Sequence, residues 1–181
     1  MTRKDIPNYI SFARILLTIP IVWFLLSENY QQALWLFFIA GVSDALDGFL
    51  AKHYGWTSEL GAKLDPAADK LLLTSSFLTL GWTGVIPTWL VVLVVLRDVI
   101  IVAGWIAYNR WIQHIQAQPM MISKINTFMQ IVLVLAAVVM LVMNVWMSIW
   151  FDILVWLTAL TTVASGISYV TYWGKRAVSD K

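Results

Sequence analysis

The sequence predicts an all-α integral membrane protein of six helices, and three observations carry that expectation. The 181-residue chain is 60% hydrophobic and only 12% charged, and it holds eleven tryptophans, a balance suited to a bilayer rather than to a water-soluble core. Apolar runs of roughly 20 residues, enough to cross a hydrocarbon core, recur along the chain between polar or Gly/Pro breaks. Lysines and arginines outside the helix interiors gather at the termini and at alternate connections.

Taken in order, the runs predict helices over residues 6–26, 31–52, 61–81, 87–108, 120–143 and 148–173. The first stops at the polar break 27–30, the second at Lys52, and the third at Gly81 before a Trp-Thr-Gly turn. The fourth starts at Pro87 and closes before Asn109 and Arg110. The fifth follows the polar stretch ending at Pro119, and the sixth stops ahead of Gly174, Lys175 and Arg176. Trp82, Trp111, Trp146, Trp150 and Trp173 fall near these ends, where indoles form an interfacial belt.

Connections 27–30, 82–86 and 144–147 contain no lysine or arginine. Arg3, Lys4, Lys52, Lys63, Arg110, Lys124, Lys175, Arg176 and Lys181 all lie at the termini or around the connections after helices two and four. The positive-inside rule therefore puts both termini on the cytoplasmic side. The pI of about 8.9 adds some attraction to anionic headgroups, and nothing points to nucleic acid. With no repeats, linkers or low-complexity tracts, residues 1–181 read as a single domain. The start, M-T-R-K-D-I-P-N, lacks the features of a secretory or transit leader, so the chain reads as a complete bacterial protein of the inner (cytoplasmic) membrane.

Four acids interrupt this apolar pattern. Asp44 and Asp47 are three residues apart and Asp65 and Asp69 four apart, so on helices each pair projects from one face. A bare charge near a bilayer centre costs roughly 2.5–3.5 kcal/mol on insertion scales, and four together call for compensation. Ion pairs with Lys52, Lys63, Lys70 and Arg97 are one form of it; divalent cations are the other. The chain has no cysteine, and His53 and His114 are its only imidazoles, so a metal site here is oxygen-based and suits Mg²⁺, Mn²⁺ or Ca²⁺ rather than zinc. Gly48, Ala51 and Gly61 surround the acids with small residues that allow close approach to the backbone. Ser43, Ser58 and His53 lie near the motif but read as helix-end or surface polarity rather than as nucleophiles.

The run from Asp44 to Asp69 resembles the signature of the CDP-alcohol phosphatidyltransferases, D-x2-D-G-x2-A-R-x8-G-x3-D-x3-D, at every fixed position except that Lys52 replaces arginine. A P-N-x-x-S-x-x-R start over residues 7–14 extends the likeness. The resemblance implies the fold of that family, a cytoplasm-facing cavity, two divalent cations (Mg²⁺ or Mn²⁺), CDP-diacylglycerol as donor and a homodimer. Carried over, Asp44, Asp47, Asp65 and Asp69 are metal ligands, and Asp69 is also the general base. Gly48, Ala51, Lys52 and Gly61 then contact the CDP-lipid. Lys52 would meet the diphosphate as a point charge rather than a bidentate fork.

The acceptor is read from helices four and five. Ser123, Asn126, Thr127 and Gln130 share one polar face, which points either to a cavity or to hydrogen bonds between helices. Arg97 is either paired with Asp98 or directed to an acceptor phosphate. Members of the family that use glycerol-3-phosphate carry further cations where this chain has Asn126 and Trp105. The strings around Arg97, at 122–130 and at 158–169 resemble instead its cardiolipin synthase branch, whose acceptor is phosphatidylglycerol. Arg14, Arg97, Lys124, Asn126 and Gln130 are the expected acceptor contacts. Thr158, Thr161, Thr162, Ser165, Tyr169 and Tyr172 recur at three-to-four spacing on the last helix, as packing residues or as the wall of a lateral opening. A phosphatidylglycerophosphate synthase is the alternative within the same class, and a divalent-cation or proton-coupled transporter the alternative outside it.

Overall fold

A computed structural model of the chain describes residues 6–54, 61–111, 120–145 and 149–179. Within the helices, the side chains of residues 6–8, 47, 48, 50–54, 61–64, 107–109, 111 and 174–179 lie outside the description. The described residues form six α-helices: α1 (Ile6–Leu26), α2 (Tyr30–Tyr54), α3 (Gly61–Trp82), α4 (Thr88–Trp111), α5 (Met121–Met143) and α6 (Ile149–Ser179). Five of them follow the apolar runs to within three residues at either end. The sixth overruns its expected end at 173, so Trp173 lies inside α6; it packs there against Gly104 of α4, where an added Cβ would meet its ring at 3.4 Å.

Four helices carry stretches long and apolar enough to cross a membrane: Tyr9–Leu26, Thr88–Ile106, Met121–Met143 and Ile149–Trp173. Charged residues interrupt the apolar sequence of the other two helices: Asp44, Asp47 and Lys52 in α2, and Lys63, Asp65, Asp69 and Lys70 in α3. Large apolar side chains such as Ile19, Trp23, Phe38, Val92, Trp156 and Leu160 face outward, as a hydrocarbon surround favours. Pro20 and Pro66 stand inside α1 and α3, a placement better tolerated in membrane helices, where neighbouring groups satisfy the freed carbonyl.

The chain divides into two compact units. The first comprises residues 1–85 and 137–146, the second residues 86–136 and 147–181. In the first, α1 packs against both α2 and α3. Its buried stripe runs Ser11, Arg14, Thr18, Ile21 and Leu25, a three-four alternation that keeps one face turned inward. Ala33 and Ala40 of α2 and Ala68 of α3 are buried small residues that let backbones approach closely.

In the second unit α4 packs on α6. The buried stripe of α6 is Phe151, Val155, Thr158, Thr162, Ser165 and Tyr169, again alternating by three and four, while Tyr172 is exposed. Trp89 and Trp156 join the two helices with ring centroids 5.3 Å apart. α5 is tied in through side-chain hydrogen bonds to both neighbours.

Three tight connections share one device. Glu28 (φ 58°), Gly84 (φ 77°) and Asn144 (φ 55°) take the left-handed conformation just past α1, α3 and α5. Behind them, the amides of Asn29, Val85 and Val145 bond back to the carbonyls of Phe24, Leu80 and Met140 at 2.9, 2.9 and 3.1 Å, satisfying carbonyls that each helix end would otherwise leave open.

Candidate active site

Within the first unit the side chains of three of the four acids, Asp44, Asp65 and Asp69, are described. Asp44 is exposed on α2, Asp65 half-buried and Asp69 exposed on α3, and both helices rest on α1. From α1, a single Arg14 nitrogen, Nη1, lies 2.7 Å from Asp44 Oδ1 as an ion pair and donates a hydrogen bond to Asp69 Oδ1. One turn earlier, the Ser11 hydroxyl donates to Asp65 Oδ1. Arg14 is 1% exposed, whereas the Asp44 and Asp69 side chains are 50% and 52% exposed. The guanidinium therefore lies on the protein side of the cluster and the carboxylates on its open side.

An apolar groove of about 300 Å³ adjoins the cluster, lined by Tyr9, Ile10, Ala13, Arg14, Leu17 and Ser43. Ser43 itself donates to the Ile39 carbonyl at 2.8 Å, a bond within its own helix. Asp47, Gly48, Ala51, Lys52 and Gly61, the remaining motif residues, lie outside the described side chains. Among the described residues no three acids or imidazoles close on a common point. The donor set is nonetheless the right kind for a hard divalent cation: oxygens only, partly open to solvent, with more negative charge than Arg14 alone offsets.

The second unit holds a separate polar cluster. Arg97, buried on α4, donates from Nη1 to Asp98 at 2.8 Å, from Nη2 to Ser123 of α5 at 2.6 Å, and from Nε to Ser165 of α6 at 3.2 Å. The Tyr169 ring lies beneath its guanidinium, 5.8 Å from centroid to Cζ, and the Tyr169 hydroxyl oxygen accepts from the Met120 amide at 3.3 Å. Beside Arg97 an apolar groove of about 300 Å³ runs between α4 and α6, with Ile100, Gly166 and Ile167 in its walls. Asn126 is fully buried, and its carboxamide oxygen accepts from Thr161 at 3.1 Å and from Thr162 at 2.8 Å. Gln130 is buried one turn on, and Lys124 is exposed.

Of the expected acceptor contacts, Arg97, Lys124, Asn126 and Gln130 thus fall in the second unit, and Arg14 falls with the carboxylates of the first. Ser11 received no role from the sequence. Its place in the P-N-x-x-S-x-x-R string, one turn before Arg14, is the signal that could have singled it out.

Comparison with known proteins identifies the family. The family model for CDP-alcohol phosphatidyltransferase matches residues 4–167, and the chain belongs to that family. It is 35% identical to a cardiolipin synthase (CMP-forming) of Rattus norvegicus and, equally, to one of Homo sapiens, over 96% of this chain and 62% of each relative. It is 33% identical to a chloroplastic CDP-diacylglycerol--glycerol-3-phosphate 3-phosphatidyltransferase 1 of Oryza sativa subsp. japonica, over 91% of this chain and 56% of that protein. The chain therefore spans about three-fifths of the length of the curated relatives it matches. Together with its four apolar helices, the family assignment makes this a multi-pass membrane protein.

Proposed function

We propose that this protein is a cardiolipin synthase that transfers a phosphatidyl group from CDP-diacylglycerol to the terminal hydroxyl of phosphatidylglycerol and releases CMP. The placing of Asp44 and Asp69 against Arg14 and of Asp65 against Ser11, in a chain carrying the family signature, is the observation that carries the reading. The likeness to rat and human cardiolipin synthases supports the acceptor.

In this reading Asp44, Asp47, Asp65 and Asp69 hold two divalent cations, Mg²⁺ or Mn²⁺. When bound, these neutralise the diphosphate oxygens and stabilise the departing CMP. Gly48, Ala51 and Gly61 admit the cytidine and its phosphate close to the backbone, and Lys52 meets the diphosphate. Asp69 takes the proton of the acceptor hydroxyl as its oxygen bonds to the lipid-side phosphorus. The bond from that phosphorus to the CMP oxygen breaks, and CMP leaves with the electron pair. The groove beside Arg14 is walled for an acyl chain of the donor.

Arg97, Lys124, Asn126 and Gln130 receive the acceptor. Asn126 and Trp105 replace the extra cations of enzymes that bind a phosphomonoester, and neutral hydrogen bonds suit a glycerol headgroup joined by a diester. All six helices span the membrane in this reading, with both termini and the carboxylates facing the cytoplasm across a bacterial inner membrane. Residues 1–181 act as one domain, and two copies form the working enzyme. Phosphatidylglycerophosphate synthesis is the second reading, favoured by the likeness to the rice enzyme. Transport has no such support. Purified protein incubated with CDP-diacylglycerol, Mg²⁺ and one candidate alcohol at a time tests the choice. Cardiolipin from phosphatidylglycerol supports the first reading, and phosphatidylglycerophosphate from glycerol-3-phosphate alone supports the second.

A further inference from the structure

We infer that α1 is a positioning element for the metal-binding carboxylates: Ser11 and Arg14 each hold one oxygen of their aspartates, so that the second oxygens of Asp44, Asp65 and Asp69 are aimed outward at the cations. The inference rests on the two-cation reading proposed above, and it gives work to a serine and an arginine that the reaction itself leaves without a task at the metals.

The contacts are consistent across all three acids. Oδ1 of Asp44 and Oδ1 of Asp69 take Nη1 of Arg14, and Oδ1 of Asp65 takes the Ser11 hydroxyl; Oδ2 of each makes no hydrogen bond among the described residues. A carboxylate held by one oxygen keeps the other for a ligand and has already given up its rotational freedom. Partners of this kind, which bind a metal's ligands rather than the metal, typically govern metal affinity by about 10- to 100-fold.

Burial points the same way. Ser11 and Arg14 are 0% and 1% exposed, three residues apart on the inward stripe of α1. The buried helical hydroxyls of Ser76 and Thr79 bond one turn back along their own helix, to the carbonyls of Leu72 and Ser75 at 2.7 and 2.8 Å. Ser11 donates across to another helix. The single positive charge of Arg14, shared between Asp44 and Asp69, also offsets the repulsion that would drive those carboxylates apart.

Mn²⁺ titration of the full chain in detergent, read by electron paramagnetic resonance, tests this without relying on turnover. Ser11→Ala should weaken Mn²⁺ binding by about 10-fold or more while the chelated protein melts within a few degrees of wild type, and Ser11→Thr, which keeps the hydroxyl, should restore it. Arg14→Lys, which keeps the charge but replaces the planar guanidinium with a rotatable ammonium, should weaken binding as well. Wild-type affinity in folded Ser11→Ala, or no recovery in Ser11→Thr, overturns the positioning role alone. A wild-type protein that binds no Mn²⁺ overturns the two-cation reading and this inference with it.

Discussion

The Thr162 hydroxyl lies 2.8 Å from the Asn126 carboxamide oxygen, and the amide nitrogen on the other side of that group is buried with no partner among the described residues. Gln130, one turn along α5, has the same unpartnered buried nitrogen. A buried donor without a partner costs about 1–3 kcal/mol, a cost that a ligand oxygen removes. Thr161 and Thr162 also reach the Thr158 carbonyl, at 3.0 and 2.7 Å, so they keep a partner if the amide is lost. Asn126→Leu is therefore expected to leave thermal stability unchanged or raised while increasing KM for phosphatidylglycerol by ~10-fold or more. A lower melting temperature with an unchanged KM would make Asn126 a packing residue.

Metal dependence follows from the charge of the carboxylate cluster. Chelation should abolish turnover, and Mg²⁺ or Mn²⁺ should restore it. Asp47→Asn and Asp65→Asn should each reduce kcat by ~100-fold or more in protein that remains folded and membrane-inserted. Near-normal turnover of either variant, or full activity in excess chelator, would refute the ligand assignment.

Asp69 carries a separable claim. Asn at this position retains an oxygen ligand but cannot accept a proton at neutral pH. Turnover should fall by ~10²- to 10⁴-fold, the usual range for a lost general base, with a much smaller change in CDP-diacylglycerol binding. A variant that binds the donor poorly yet reacts at the wild-type rate once saturated would leave Asp69 as a ligand only.

Asp98 tests the second polar cluster through stability. Arg97 is 7% exposed and bonds Asp98 at 2.8 Å, so Asp98→Ala strands a buried positive charge and should cost about 3 kcal/mol. Arg97→Met combined with Asp98→Ala removes both charges and should recover most of the loss in a thermal melt. Equal destabilisation of the single and double variants would show that the pair contributes nothing beyond its separate contacts.

The helices were legible because their signal is local: apolar length marks a span within one stretch of chain, and the spacing of Asp65 and Asp69 assigns both to one face of α3. What escaped depends on distance along the chain. Ser11 meets an acid 54 residues away, and Arg14 one 55 residues away; no pattern around either residue names that partner. The end of α6 was misjudged for another reason: Gly174, Lys175 and Arg176 read as the exit from the membrane, yet a helix can leave the apolar zone and continue, as it does to Ser179. Glu28 in a left-handed turn was likewise hidden, since glycine or asparagine is the usual sign of one.

Acceptor choice is the most direct test of the central claim. Purified protein given CDP-diacylglycerol and Mn²⁺ with equal concentrations of phosphatidylglycerol and glycerol-3-phosphate in one mixture should form cardiolipin and CMP, with phosphatidylglycerophosphate at less than about a tenth of the product, a discrimination of ~1.4 kcal/mol or more between the two transition states. Phosphatidylglycerophosphate as the main product, with no cardiolipin formed, would contradict the account.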